Sequence, residues 1–526
     1  MTTFSMAALG APRVDVGRDR LAVIHGAERL TYDELDRRAD LAASALSSSE
    51  VEPGDHVGYL GLNSAGSIEL LIGCARIGAV GVYYNWRLAP RELAVVLADS
   101  APDLLVCDAM FVPLAAAAAG ELVDPPRLVV RSGAGDIEVP TGAVEYDRWM
   151  TSGTGAVPPV QPSSDDVAVQ LYTSGTTGVP KGARLTHRGF AAAMPDTAGF
   201  WGLDGGSRVL SVLPMFHIAG IGTAAATLWA GGTLVIADDA SAAATLRDIE
   251  THGLTHIILA SVMLQALVDA PEFPAADLRT LRTVSYGAAP ISESVLATVL
   301  DRLDCAVMQP YGLTETTGVL TLLTADDHRA ALADGGDPSR LRTCGTARPG
   351  VELRVVEPTT GVDVEPGEPG ELWARSERIM SGYWNRAEQT AEVLVGDGWF
   401  RTGDVAVMDA DGYVELRDRL NDMIISGGEN VYPVEVENVI QAHPDVAHVA
   451  VIGVPHDRWG ETPVAAIVPE PGRDLDPDDV IAFARDRLAH YKCPTAVHVV
   501  DTLPRNATGK VLRKELRTDA SWQRPT

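Results

Sequence analysis

The sequence predicts an α/β protein with a large N-terminal domain, residues 1–420, and a small α+β C-terminal domain, residues 421–526. Three observations predict it. Apolar runs of strand length alternate with helical stretches through most of the chain, as in parallel sheets covered by helices. From about 348 to 418 the pattern changes to Pro-Gly turns and short strands, as in a β-rich subdomain. After residue 421 it resets to a compact helix–strand–strand–helix unit of roughly 105 residues, the size of a small domain.

The elements follow in order. "LTYDELDRRADLAASAL" opens with Thr31 and Glu34 in capping-box spacing and carries Leu35, Ala39, Ala42 and Leu46 on one helical face. "HVGYLGL", "AVGVYYN", "DLLVCD", "DVAVQLYTS", "RVLSVLP", "THIILAS", "RTVSYGA" and "AVMQPYG" read as strands, with helices between many of them. "VELRVVE", "GELWARS" and "YVELRD" are the short strands of the β-rich part. In the last part "PVEVENVIQAH" and "DPDDVIAFARDRLAHY" read as helices, and "VAHVAVIGVP" and "TPVAAIVPE" as strands. Residues 218–237, "IAGIGTAAATLWAGGTLVIA", hold no charge and have the length of a membrane span. Gly231-Gly232 divides them, so they are expected to form a buried helix, a turn and a strand.

Composition narrows the function. Hydrophobic residues make up 46% and charged residues 21%, the profile of a globular chain. Acids outnumber bases 71 to 42, for a formal charge of -29, which argues against nucleic acid or an anionic membrane as the main partner. Cys74, Cys107, Cys305, Cys344 and Cys493 are far apart and show neither disulfide nor zinc spacing. With no signal-like N-terminus, the expected compartment is the cytoplasm. Lysine occurs only at 181, 492, 510 and 514, and two of these fall in motifs.

The first motif is "YTSGTTGVPKGARLTH", from Tyr172 to His187, directly after an apolar strand. Thr173, Ser174, Thr176 and Thr177 interleave with Gly175 and Gly178, and Lys181 closes the loop. Small hydroxyl residues, flexible glycines and one ammonium suit the wrapping of phosphate oxygens. Walker A spacing fails, because Lys181 follows Pro180 and precedes Gly182. Then come "LPMFHIAG", "SYGAAP", "QPYGLTETTG", "WFRTGD", "LRDRLNDMIISGGENVYP" and "LPRNATGK".

Together and in this order, the motifs resemble the adenylate-forming superfamily over nearly the whole chain, most closely its bacterial fatty-acyl and aryl-CoA ligases. The resemblance implies that a carboxylate attacks the α-phosphate of Mg-ATP, giving an acyl-adenylate and pyrophosphate, and that a thiol, usually of coenzyme A, then displaces AMP. It assigns the phosphates to 173–181. It assigns the adenine to Gly287, Ala288, Ala289, Tyr311 and Gly312, and the α-phosphate to Thr314. Mg²⁺ goes to Glu315 with Thr177, and the ribose hydroxyls to Asp404 and Arg419. Lys510 bridges the attacking carboxylate and the α-phosphate. A point charge there suits a transition state whose charge builds on phosphate oxygens. The resemblance further implies that the small domain is mobile about a hinge at Asn421, where related enzymes carry Asp or Lys. One orientation presents Lys510, and the other presents Gly427 and Gly428 to the pantetheine arm, with Tyr491 and Lys492 near the nucleotide of coenzyme A.

His217 is expected at the gate between the ATP and acyl sites. "PMFHIAGIG" lacks the acid that would hold an α-amino group, so a hydrophobic carboxylic acid is the expected substrate. Gly220, Gly222 and Gly318 leave space, and Trp201, Phe216, Tyr286, Met308, Gly312 and Val319 are the expected pocket residues. Fatty, aryl, steroid-like and terpenoid acids all stay open, as do coenzyme A against an acyl carrier protein as acceptor, and monomer against homodimer. A non-catalytic ATP sensor is the rival class; Lys181, Glu315, Asp404, Arg419 and Lys510 together argue against it.

Overall fold

The computed structural model describes residues 4–11, 17–132, 139–153, 162–173, 180–287, 291, 293–333, 335–419, 422–426, 429–456, 459–505 and 511–518. They fall into two compact units. The first is Met1–Leu341 with Gly345–Glu352 and Ala374–Phe400; the second is Arg342–Cys344, Leu353–Trp373 and Arg401–Thr526.

The first unit is built on two sheets. One runs Val144–Glu145, Arg127–Arg131, Leu104–Asp108, His56–Leu60, Val80–Tyr83, Val167–Thr173, Lys181–Thr186 and is parallel except for its last, antiparallel pair. The other runs Thr346–Ala347, Gly318–Leu323, Ala306–Leu313, Thr283–Gly287, His256–Ala260, Arg208–Ser211, Thr233–Ile236, Leu21–His25, Glu28–Thr31. Its middle is parallel and its edges are antiparallel. Every residue of the strands His56–Leu60, Leu104–Asp108 and His256–Ala260 is buried. That is why these strands are largely apolar rather than alternating, as in parallel sheets covered on both faces.

Local signals set the helices. Tyr32–Ser48 starts at the expected capping box, with Thr31 Oγ1 accepting from the Glu34 amide at 3.2 Å and Glu34 Oε2 accepting from the Thr31 amide at 2.8 Å. The uncharged stretch at 218–237 forms the buried helix Ile218–Trp229 and the strand Thr233–Ile236, as expected from its glycine pair. Among the described residues no helix is long and apolar enough to cross a membrane.

The second unit holds the β-rich part, with strands Glu352–Val356, Pro369–Arg375, Trp399–Met408 and Val414–Arg419, and the C-terminal sheet. The long hairpin Val446–His456/Gly460–Pro469 anchors that sheet. Its two faces carry separate cores, Val451, Ala465 and Ile467 with Val436 and Ile440 on one side, Ile452, Val464 and Ala466 with Leu503 and Leu516 on the other. Within this unit the strand Val414–Arg419 packs against the helix Pro433–Gln441. One detail differs from the sequence reading. The helix read as running to Tyr491 ends at Arg485. The amides of Arg487 and Leu488 turn back onto the Ala484 carbonyl at 3.0 and 2.9 Å, and Leu488 packs onto the core instead of continuing a solvent-facing helix.

Candidate active site

The parallel strands of the larger sheet end at Ser211, Ala260 and Gly287, and the chemical motifs follow those carboxyl ends, where open α/β sheets bind ligands. The strand Ala306–Leu313 runs straight into the turn Thr314–Thr316. Gly312 is demanded here: a Cβ would lie 1.8 Å from the Gly318 carbonyl oxygen. Gly318 itself has φ +110, a conformation that L side chains rarely adopt. Thr317 sits buried at φ 48, held by its hydroxyl donating to the Arg378 carbonyl at 2.6 Å. This tight return keeps Thr314 at the end of the sheet and buries Glu315.

Glu315 is the meeting point. Its backbone carbonyl accepts from the Met380 amide at 2.8 Å. Its Oε1 accepts from the Tyr383 hydroxyl at 2.9 Å and from Thr173 Oγ1 at 3.3 Å. Lys181 opens the strand Lys181–Thr186, and its Nζ lies 5.0 Å from the centroid of the Tyr383 ring. Thr173 and Lys181 from one motif and Glu315 from another are thus brought together around Tyr383, which was missed. Its only sequence signal was the "GYWN" segment, which has no chemistry until folding lays it beside Lys181.

No group of three or more His, Cys, Asp or Glu that would hold a metal unaided occurs among the described residues. The donor set is instead the buried Glu315 carboxylate with the Thr173 and Tyr383 hydroxyls. That fits Mg²⁺, which takes one or two carboxylates and fills its sphere with phosphate oxygens and water.

His217 precedes the helix Ile218–Trp229 as its N-cap residue. Phe216 lies at 4.5 Å between ring centroids and packs in turn on Trp86, which stacks on Phe111. His217 Nε2 is buried without a partner in the described structure. Burial, reinforced by the Arg87 guanidinium, pushes the imidazole down to about 4. The sign is that of a cation kept out: the stability from the neutral ring is fully present above about 6.5 and is lost as pH falls toward 4. His217 is therefore expected to stay neutral throughout the physiological range. A ¹³C or ¹⁵N NMR titration of the ring checks this, and a midpoint near 6.5 would count against it.

Other expected pocket residues divide. Met308 is buried opposite Ser285 in the strand register, whereas Tyr286 points to the other face with Val284 and Val307. Tyr286 packs in the core, with its hydroxyl 2.9 Å from His328 Nε2, so it and Met308 do not wall one chamber. Period-2 alternation along the two strands separates them. Trp201 is buried, and its carbonyl accepts from His256 Nε2 and Thr283 Oγ1. Gly220 lies against the preceding turn, where a Cβ would come within 2.2 Å of the Pro214 carbonyl oxygen, so it serves packing rather than open space. The Val319 carbonyl accepts from Arg378 Nη1 at 2.7 Å.

In the second unit Asp404 is buried and directly opposite Arg419 in the antiparallel register. Tyr491 is 40% exposed. Lys492 Nζ is tied to Glu435 at 2.6 and 2.8 Å, so its charge is already met within the unit. Ser174, Gly175, Thr176, Thr177, Gly178, Ala288, Ala289, Asn421, Gly427, Gly428 and Lys510 lie outside the described residues, and the Arg419 side chain does too.

Comparison with known proteins gives the family. Residues 12–384 match the AMP-binding enzyme family and residues 435–510 its C-terminal domain. The chain is similar to a feruloyl-CoA synthase of an Amycolatopsis species, 40% identical over 94% of this chain and 95% of that one. A fatty acid–[acyl-carrier-protein] ligase, ScoC of Streptomyces coeruleorubidus, is 38% identical over 95% and 93%. Among solved structures, ATP-bound MatB of Rhodopseudomonas palustris superposes with a TM-score of 0.87 at 28% identity, covering 99% of both chains. The order of motifs, the carboxylate and lysine gathered at the strand ends, and these matches agree, and the chain belongs to the adenylate-forming superfamily of acyl-CoA synthetases, AMP-forming enzymes that use ATP and coenzyme A to activate carboxylic acids.

Proposed function

We propose that this enzyme activates a hydrophobic, aromatic or long apolar carboxylic acid and passes the acyl group to coenzyme A. The observation that carries the reading is the convergence of Thr173, Lys181 and Glu315, with the neutral, aromatic-flanked His217 on the same unit. In the first step a carboxylate oxygen bonds to the α-phosphorus of ATP, the bond from that phosphorus to the bridging oxygen breaks, and pyrophosphate leaves with the electron pair. In the second the sulfur bonds to the acyl carbon, the acyl–oxygen bond breaks, AMP leaves, and the thiol proton passes to solvent.

Lys181 and the 174–179 loop hold the β- and γ-phosphates. Gly287, Ala288, Ala289, Tyr311 and Gly312 frame the adenine, Thr314 orients the α-phosphate, and Asp404 and Arg419 take the ribose hydroxyls. Lys510 neutralises charge on the attacking and phosphate oxygens. Glu315, with Thr177, would hold the divalent cation, which when bound supplies charge neutralisation at the phosphates. Residues 421–526 act as a mobile domain hinged at Asn421, bringing first Lys510 and then Gly427-Gly428 to the site. The compartment is the cytoplasm.

The aromatic wall of Trp86, Phe111 and Phe216 favours an aryl or hydroxycinnamate-like acid, in keeping with the feruloyl-CoA synthase likeness. A second reading makes a carrier protein the acceptor. It is favoured by the pairing of Lys492 with Glu435, which removes one cation from the surface expected to meet coenzyme A, and by the likeness to ScoC. Pyrophosphate release across a panel of acids, with and without coenzyme A and read by mass spectrometry, tests both. Aryl acids are expected to give acyl-CoA, AMP and pyrophosphate. Acyl-adenylate that accumulates despite coenzyme A would favour the carrier, and no pyrophosphate with any acid would sink the proposal.

A further inference from the structure

Tyr383 touches both charged groups of the candidate site, and its own position is fixed from several sides. The 381–384 segment lies along the strand Lys181–Thr186: Ala183 and Tyr383 form an antiparallel bridge, the Trp384 amide donates to the Gly182 carbonyl at 2.8 Å, and the Arg184 amide donates to the Gly382 carbonyl at 3.0 Å. The Tyr383 amide donates to Thr390 Oγ1 at 2.9 Å. The residue is 8% exposed. A buried aromatic held on both sides by backbone bonds has little freedom to move its hydroxyl.

That hydroxyl donates to Glu315 Oε1 at 2.9 Å, the oxygen that also accepts from Thr173. Among the described residues both donors converge on Oε1, and Oε2 receives none. The face of the same ring meets the Lys181 ammonium. We propose that Tyr383 is a positioning residue that orients the Glu315 carboxylate for the divalent cation through its hydroxyl and seats the Lys181 ammonium for the phosphates through its ring. The proposal rests on reading Glu315 as the metal carboxylate and Lys181 as a phosphate ligand.

The physical reason for one residue doing both is charge management. A lysine and a glutamate in one small site would pair with each other, and each would then be lost to its ligand. The phenol hydroxyl takes one carboxylate oxygen without neutralising the carboxylate, leaving the other for a cation. The ring attracts the ammonium through its quadrupole, again without neutralising it. Partners of metal-bound carboxylates commonly matter at the level of about 10–100-fold in metal affinity.

The two roles are separable. Tyr383→Phe removes one oxygen and keeps the ring; Tyr383→Leu removes both. For Tyr383→Phe, Mn²⁺ binding to the protein–ATP complex, followed by electron paramagnetic resonance, is expected to weaken about tenfold. The Mg²⁺ midpoint of ATP–pyrophosphate exchange should rise in parallel, while metal-free ATP affinity and the melting temperature stay at wild-type values. Tyr383→Leu is expected to lose metal-free ATP affinity as well. Wild-type Mn²⁺ affinity in Tyr383→Phe would overturn the proposal, and so would a uniform fall in metal binding, ATP affinity and melting temperature. Glu315→Gln separates this from the underlying reading. If it binds Mn²⁺ normally, Glu315 is not the metal carboxylate; if it fails while Tyr383→Phe is normal, only the role of Tyr383 falls.

Discussion

Lys510→Ala is expected to lower ATP–pyrophosphate exchange by on the order of 10²–10³-fold, the cost of removing one preorganised charge from a transition state of this kind. The reaction spreads negative charge over the α-phosphate and the attacking carboxylate, and little covalent work is left for the protein beyond positioning and neutralisation. Lys510 is one of four lysines in a chain that otherwise uses arginine, and a compact ammonium fits a changing oxygen geometry better than a planar fork. The fold should not suffer. The 506–510 segment is flanked by the Arg505–Val511 bridge and by the Leu512 amide donating to the Pro504 carbonyl at 2.8 Å, and Val511 packs on the core of Ile452, Val464 and Leu516. Arg513 is held by Glu437 at 2.8 Å, so the flanking chain has anchors that do not involve the lysine. The melting temperature is therefore expected to be unchanged, and thioester formation from a supplied acyl-adenylate should survive. Exchange near the wild-type rate would remove Lys510 from the adenylation step.

Asp196→Ala is expected to destabilise the first unit by about 3–5 kcal/mol, the range for breaking a buried ion pair and leaving charge behind. Asp196 accepts from Arg348 Nε and Nη2 at 3.1 and 2.6 Å and from Arg378 Nη2 at 2.9 Å. The Arg378 side chain is 2% exposed, and its remaining bonds go to the Val319 and Pro349 carbonyls. Those carbonyls carry no full charge, so without Asp196 two guanidiniums would share a site with no counter-ion. Burial alone pushes the Asp196 carboxyl up; the bonds from Arg348 and Arg378 outweigh it and hold it below the ordinary value. Its contribution is thus present above about pH 3.9 and is lost as pH falls through the lower folded value. Thermal or urea unfolding should show a wild-type advantage that is constant from pH 6 to 8 and closes only in acid. A melting point within a degree of wild type at pH 7 would refute it. Because Thr317 and Val319 hang on Arg378, the same loss should loosen the turn that carries Thr314 and Glu315.

The fold was legible where local patterns repeat. The capping box at Thr31, the apolar strands and the glycine pair at 231–232 each state their structure within a few residues, and each formed as read. The helix meant to reach Tyr491 did not, because a core contact at Leu488 outweighed local propensity.

The sequence by itself marked Thr173 and Lys181 as phosphate-site candidates, through the hydroxyl, glycine and lysine residues of one loop, and the ordered motifs carried the family resemblance that singled out Glu315. Only the tertiary structure decided which groups meet. Tyr383 reaches Glu315 across 68 residues, Lys492 is claimed by Glu435 across 57, and Arg378 finds Asp196 across 182. Tyr286 and Met308 part company on opposite faces of one sheet. Periodicity reports what a residue does relative to its chain neighbours. Contacts at such separations are set by how whole sheets and helices pack, and no local spacing encodes them.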